Sequence, residues 1–430
     1  MNFLPNVIFA IILFLGIGFF VRNIRKLKRN IYLGKDVDIS GDSNIRWKNM
    51  ALIALGQSKM VRRPISGILH IIVYLGFVII NIEVLEIIID GLFGTHRIMS
   101  GIGSLYGILI GTFEILASLV FIAVVIFWIR RNVVKIKRFL SSEMKGWPKL
   151  DGNLILYFEI VLMGLFIIMN ATDVEFQSMN SGNMISQYFA PMFEGHNVHL
   201  IERVAWWMHI VGILIFLNYL YYSKHLHILL AFPNTYYGNI NPKGQFNNLE
   251  AVTNEVKLMM DPNVDPFAAT DDEGSVPDKF GVSDVQDLNK IQLLNAYSCT
   301  ECGRCTSECP ANQTGKKLSP RKIMMDTRDR LVEVGNNIDA NNGEFIPDGK
   351  QLLGDYVTNE ELWACTSCNA CVEACPISID PLSIILEMRR YLVMEQSAAP
   401  MELNTMMSNI ENNGAPWPYN HMDRLNWKND

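Results

Sequence analysis

Cysteine is absent from residues 1–298 and from residues 376–430 of this 430-residue chain. An excess of basic residues is also absent. Lys and Arg number 37 against 43 Asp and Glu, for a net charge of −6, so nothing in the charge points to nucleic acid. Charged residues make up only 19 % of the chain and hydrophobic ones 50 %. The apolar excess lies before residue 232, so composition divides the chain into a membrane half and a polar half. No small-residue cleavage site follows the first apolar run, and that run is expected to be retained. A chain of this length has room for two or three domains.

All eight cysteines fall in two matching runs. The first is Cys299-Thr-Glu-Cys302-Gly-Arg-Cys305-Thr-Ser-Glu-Cys309-Pro310. The second is Cys365-Thr-Ser-Cys368-Asn-Ala-Cys371-Val-Glu-Ala-Cys375-Pro376. None remains for a disulfide, a nucleophile or a redox sensor. Each run is C-x2-C-x2-C-x3-C-P, the ligand spacing of bacterial two-cluster ferredoxins. Three thiolates at x2 intervals wrap three corners of an iron–sulfur cube, and the fourth, ahead of Pro, ligates the other cluster. Cys299, Cys302, Cys305 and Cys375 are therefore expected to hold cluster 1, and Cys365, Cys368, Cys371 and Cys309 cluster 2, both [4Fe–4S]. Zinc uses paired C-x2-C but not this doubled run ending in Pro. Disulfides need an oxidising compartment. The recurrence of the run marks a doubled ferredoxin unit.

Five apolar stretches are long enough to cross a bilayer, which takes about 20 residues. They cover 3–21, about 66–89, 105–129, 154–170 and 200–222. Basic loops follow the first (Arg22, Arg25, Lys26, Lys28, Arg29) and third (Arg130, Arg131, Lys135, Lys137, Arg138). The 171–199 loop has neither Lys nor Arg. The positive-inside rule then sets the N-terminus outside and residues 232–430 in the cytoplasm of a bacterial inner membrane, a reducing compartment that suits thiolates. Trp47 to Met60 reads as an interfacial helix. The expected domains are a bundle at 1–232, a linker at 233–285, a two-cluster domain at 286–395 and a partner-docking tail at 396–430. Within the linker, residues 261–284 read as extended or mobile. Ser319-Pro320 opens a helix to about Val334, with a loop at 335–350; Thr358 to Trp363 and Pro381 to Met394 are further helices. The fold class is mainly α: a five-helix transmembrane bundle followed by a cytoplasmic α-helical two-cluster domain.

Polar side chains at membrane depth point to function. His70 lies near the inner end of span two, His209 inside span five, and His225 and His227 after it. Neutral imidazoles on two helices can clamp a haem iron. His70 and His227 are the first-choice haem b pair, with His225 as substitute for His227. His209 and His227 are eighteen residues apart and would share a face of one continuous helix. A span-two residue facing His209 would fall near Ile80, which cannot ligate iron, so a second haem stays open. Glu83, Glu86, Glu114 and Glu159 could take protons from a quinol, or pair with Arg97 or Arg203. Glu83, Glu86 and Glu114 are the quinone-site candidates.

The bundle resembles the cytochrome b subunit of respiratory nitrate reductases and the membrane subunit of heterodisulfide reductases. The likeness is carried by the His of span two, the His inside span five, and Lys224-His225-Leu226-His227 with Pro233-Asn234. The second half resembles the double-cluster subunit of heterodisulfide reductase, through both cysteine runs, Ser319-Pro320-Arg321 with Arg328-Asp329, and Asn412-Asn413-Gly414-Ala415-Pro416-Trp417 with Arg424 and Trp427. Nitrate-reductase-type subunits have two histidines on span two; this chain has His70 alone. Many heterodisulfide reductase relatives continue past the tail into cysteine-rich CCG modules. The resemblance therefore implies electron transfer between menaquinone or another quinone in the membrane lipid and a separate cytoplasmic partner. That partner is a CCG-domain subunit, or a dehydrogenase or electron-transfer flavoprotein. The competing reading is a membrane-tethered ferredoxin-type shuttle without haem or quinone chemistry. A cluster-containing sensor would need a sensory or DNA-binding segment, and none is visible.

Overall fold

The computed structural model describes residues 3–39, 41–179, 181–242, 244–263 and 279–429. Among these there is no β-strand, only isolated bridges such as Lys35 with Asn289. The linker stretch 264–278 expected to be extended lies outside the described residues.

Five helices are long and apolar enough to cross a membrane. They are α1 (Leu4–Ile31), α2 (Pro64–Phe93), α3 (Ser104–Asn132), α4 (Trp147–Thr172) and α5 (Val198–Tyr219), the last extended by one tight turn to Tyr222. Pro stands in the first turn of α1, α2 and α4, where its missing N–H is no loss. α2 packs on α3, α3 on α4, α4 on α5, and α1 closes against α5 and α2. Phe113, Phe166 and Ile210 are fully buried between them, while Phe14, Leu15 and Ile108 face outward. An apolar exterior of this kind suits lipid rather than water.

Each span is longer than its apolar run. α1 carries Arg22 to Arg29 as about two further turns instead of a loop. The expected interfacial helix at 47–60 is Ser43–Met50, followed by a π-helical turn, Ala51–Leu55.

After span five the chain breaks at Ser223, whose backbone is extended. It then re-enters α6 (His227–Tyr236). The continuous helix expected from His209 to His227 is therefore not formed. The reason is local: the Ser223 hydroxyl accepts the His225 amide at 3.1 Å and donates to Asp151 at 2.6 Å, so its polar needs are met outside a helix.

The second half is built on α7 (Lys290–Ser298), α8 (Arg304–Glu308), α9 (Pro320–Ala340), α10 (Ala370–Ala374) and α11 (Pro381–Met394). Ser319 caps α9 and Asp380 caps α11, accepting Ser383 N–H at 3.0 Å. Thr358 and Glu361 form a reciprocal capping box on the short helix Asn359–Trp363, as S/T-x-x-E predicts. α9 runs six residues past the expected end, because Val334 and Ile338 continue its buried stripe. Val282 and Val285 are buried in the same core as Leu293, Leu331 and Ile385, so the connector has joined the core before residue 286. α12 (Met401–Asn413) buries no side chain.

Candidate redox centres

The two cysteine runs fold alike. Glu301 and Gly303 take left-handed backbone (φ +53° and +71°), and Ser367 and Asn369 do the same (φ +54° and +60°). Such alternation curls successive amide N–H groups to one side, and Ser367 N–H reaches Cys365 Sγ at 3.4 Å. Gly303 is needed twice over: for its φ, and because a Cβ there would stand 2.5 Å from the Arg321 guanidinium. The turns lead into α8 and α10, which pack together.

Cys299, Cys302 and Cys305 line a cavity of about 20 Å³, and Cys375 of the second run completes it. Cys371 lies within electrostatic reach of Cys365 and Cys309. Both groupings cross between runs. Among the described residues, no three His, Cys, Asp or Glu side chains converge as for a single metal ion. Burial pushes Cys375 up to about 11 and Cys299 to about 12. Thiolates in such a place need cationic iron beside them. Cys368 alone among the eight is exposed.

His70 and His227 come together, with ring centres 6.3 Å apart and planes 39° from parallel. Two imidazoles each about 2 Å from one iron would stand roughly 6 Å apart, centre to centre. His227 Nδ1 lies 3.1 Å from the Lys224 carbonyl, which leaves Nε2 free for a metal. His70 Nδ1 is buried with no partner. Both line a cavity of about 430 Å³ walled by Tyr74, Phe77, Phe127 and Phe232. These residues fit a haem. The same cavity reaches Cys302.

His225 lines the same cavity. Its ring packs 5.4 Å from Phe216 and stands 85° to His227. Burial, and then the neighbouring His227, pushes it down to about 3. His209 gives Nδ1 to the Leu162 carbonyl at 3.1 Å and lines a separate cavity of about 80 Å³ with Ile80, Asn81 and Glu159. No second histidine is among them, so this cavity does not fit a second haem.

The carboxylates divide. Glu83 and Glu86 line a cavity of about 370 Å³ at the far end of the bundle, with His96, Arg97, Trp206 and Trp207. Glu86 accepts Met99 N–H at 2.9 Å and Tyr106 O–H at 3.1 Å, while Glu83 Oε2 has no partner. Arg97 pairs with Asp173 at 2.7 Å, and Arg203 with Glu202. Burial raises the Asp173 carboxyl, but bonds from His96 and Arg97 outweigh it and hold Asp173 below the usual range. Glu114 lies apart. It accepts Ile185 N–H at 2.7 Å, Ser186 N–H at 3.1 Å and the Asn170 amide at 3.0 Å.

Sequence reading missed Glu301. It is buried and bridges Lys224, beside the histidines, to Arg328 of α9 at 2.7 Å. Burial works against its charge, but the two cations outweigh it and hold the carboxyl low. Its signal was weak: one acidic residue inside a cysteine run.

Residues 298–379 match the model of the 4Fe-4S dicluster domain. The chain is similar to heterodisulfide reductase-like iron–sulfur proteins. One of these is a subunit of the ferredoxin/F(420)H(2)-dependent CoB-CoM heterodisulfide reductase of Methanosarcina acetivorans. It is 35 % identical over 114 residues, covering 26 % of this chain and 56 % of that protein. Longer matches run through both halves. A probable iron-sulfur-binding oxidoreductase, FadF, of Bacillus subtilis is 27 % identical over 98 % of this chain and 60 % of its own length. An EtfAB:quinone oxidoreductase of Syntrophomonas wolfei is 26 % identical over 87 % of this chain and 53 % of its own. The chain thus spans just over half the length of these two relatives. No solved structure matches it. The dicluster domain and the five apolar helices make it a membrane-anchored iron–sulfur electron-transfer protein.

Proposed function

We propose that this chain passes electrons between the quinone pool and a cytoplasmic redox partner, through haem b and two [4Fe–4S] clusters. The observation that carries the reading is the cavity that His70 and His227 share with Cys302. His70 and His227 would hold haem b, which supplies a one-electron couple. Cys299, Cys302, Cys305 and Cys375 would hold cluster 1 against that cavity. Cys365, Cys368, Cys371 and Cys309 would hold cluster 2 toward solvent, where Cys368 is exposed. The partner would then dock over the second run, with residues 396–430 beside it.

Glu83 and Glu86, in the far cavity, would exchange protons with a quinone; Trp206 and Trp207 offer a flat apolar wall. Glu114, already bonded by Asn170, Ile185 and Ser186, would hold residues 185 and 186 instead. The relative named for EtfAB and quinone favours an electron-transfer flavoprotein as donor and menaquinone as acceptor, over a CCG-bearing partner fed by quinol. Residues 1–232 act as the bundle, in a bacterial inner membrane with the clusters inside, as the basic loops direct.

The test is a pyridine haemochrome assay on purified protein, then reduction by a menaquinol analogue. A haem b band and quinol-responsive spectra are expected. No band in wild type leaves the tethered shuttle as the reading. A band with no response to any quinol or quinone removes the quinone role.

A further inference from the structure

The shared cavity carries a surplus of positive charge. Arg131, Arg138 and Arg304 all line it. Arg131 gives its guanidinium to the Pro148 and Lys149 carbonyls at 3.0 and 3.2 Å. Arg304 gives its own to the Lys59 and Met60 carbonyls at 3.0 and 3.1 Å. Arg131 and Arg138 both lie 5.1 Å from the Phe139 ring. Among the described residues none of the three has a carboxylate partner. The Nε atoms of Arg131 and Arg138 are buried and unbonded. The other cation of the wall, Lys224, is neutralised by Glu301. The remaining carboxylate, Glu159, also borders the His209 cavity, on the side away from the cysteines.

Arg138 and Arg304 stand within electrostatic reach of Cys302, and Arg131 of Glu301 and Asp151, yet none of the three forms an ion pair, and three guanidiniums on one cavity leave room for further anions. Arginine's planar fork matches carboxylates. Much of the remaining wall is apolar, with Tyr74, Phe77, Phe127 and Phe232, while Arg138 and Arg304 stand within electrostatic reach of Cys302. An occupant must therefore be flat and apolar on one side and doubly anionic on the other. Resting on the haem reading above, we infer that Arg131, Arg138 and Arg304 form an anion clamp for the two haem propionates, binding the haem with its propionate edge toward Cys302. The same cations would also draw the acidic headgroup of a phospholipid, so the test separates the two.

Full-length protein from a haem-deficient host, its clusters retained, is titrated in detergent with haem b and with haem b dimethyl ester, reading the Soret band. Wild type is expected to prefer haem over the ester by at least about tenfold. The Arg138→Gln/Arg304→Gln variant should lose that preference, and Arg138→Lys should keep it. Cluster absorbance reports folding. If the double variant loses it, the wild-type comparison and Arg131→Gln decide. Equal binding of haem and ester by wild type overturns the clamp. So does an unchanged preference in the variant, or loss of copurifying phospholipid phosphate with the preference intact. Binding of neither ligand by wild type overturns the clamp and the haem reading together.

Discussion

At the residue scale, the histidines do different work although His70, His209 and His227 all lie within the bundle or at its inner end. His227 has one ring nitrogen fixed on a backbone carbonyl and the other turned toward His70. His209 has the first feature without a facing partner. His70→Ala or His227→Ala should therefore abolish the haem b band, and His209→Ala should leave it; a haemochrome assay on the three variants decides. His96 offers a pH test. Its hydrogen bond to Asp173 outweighs burial and raises its pKa above the usual 6.5. A raised histidine stabilises most below that value, and the contribution fades as pH climbs through the raised one. Hydrogen exchange in residues 94–103 should thus rise beyond the chemical rate as pH climbs above about 6.5, and His96→Gln should flatten the excess. The dicluster domain was legible, because ligand spacing is written in the chain. The meeting of His70 and His227 is legible from their similar depth at the inner end of the bundle, whereas the shared face of His209 and His227 is not formed, since the break at Ser223 carries no Gly or Pro to announce it.

At the element scale, the paired turns and short helices stand or fall together. Cys375→Ser and Cys309→Ser should each remove about half of the bound iron, by iron assay, if each thiol serves the opposite run. Glu301→Ala would strand Lys224 and Arg328 without their shared anion, and should lower stability by roughly 3–5 kcal/mol; denaturation followed by cluster absorbance measures it. Glu301→Gln should cost less by keeping the hydrogen bonds. Helix ends were largely readable from caps: Ser319, Thr358 and Asp380 all cap as their side chains predict. The overhang of α1 was not, because Arg22 to Arg29 reads as a basic loop until its partners across the fold are known.

At the scale of the whole molecule, the two halves are joined at many points. Lys26 and Arg29 pair with Asp339, Arg63 with Glu308, and Arg321 with Glu143. Asn234 bonds the Ile377 carbonyl at 2.7 Å. Gly335 lies so close to Asn30 that a Cβ would fall 2.3 Å from its amide. Gly335→Leu should loosen this contact, seen as faster proteolysis between the halves. Protease added to inverted membrane vesicles should reach the dicluster domain, and added to right-side-out vesicles should not; the reverse would overturn the orientation.

The length of α1 has a mechanical consequence. Its 28 residues make a rod of about 42 Å, against a hydrocarbon layer of about 30 Å. The surplus is a post that ends on the dicluster domain and sets its height above the lipid. With that height also pinned through α2 and α6, a thicker or thinner bilayer cannot be met by sliding the domain up or down. The lipid must stretch or thin around the protein. Spacing along the proposed redox path would thereby be insulated from membrane composition, and the rate of quinol-driven cluster reduction in vesicles should scarcely change with acyl-chain length.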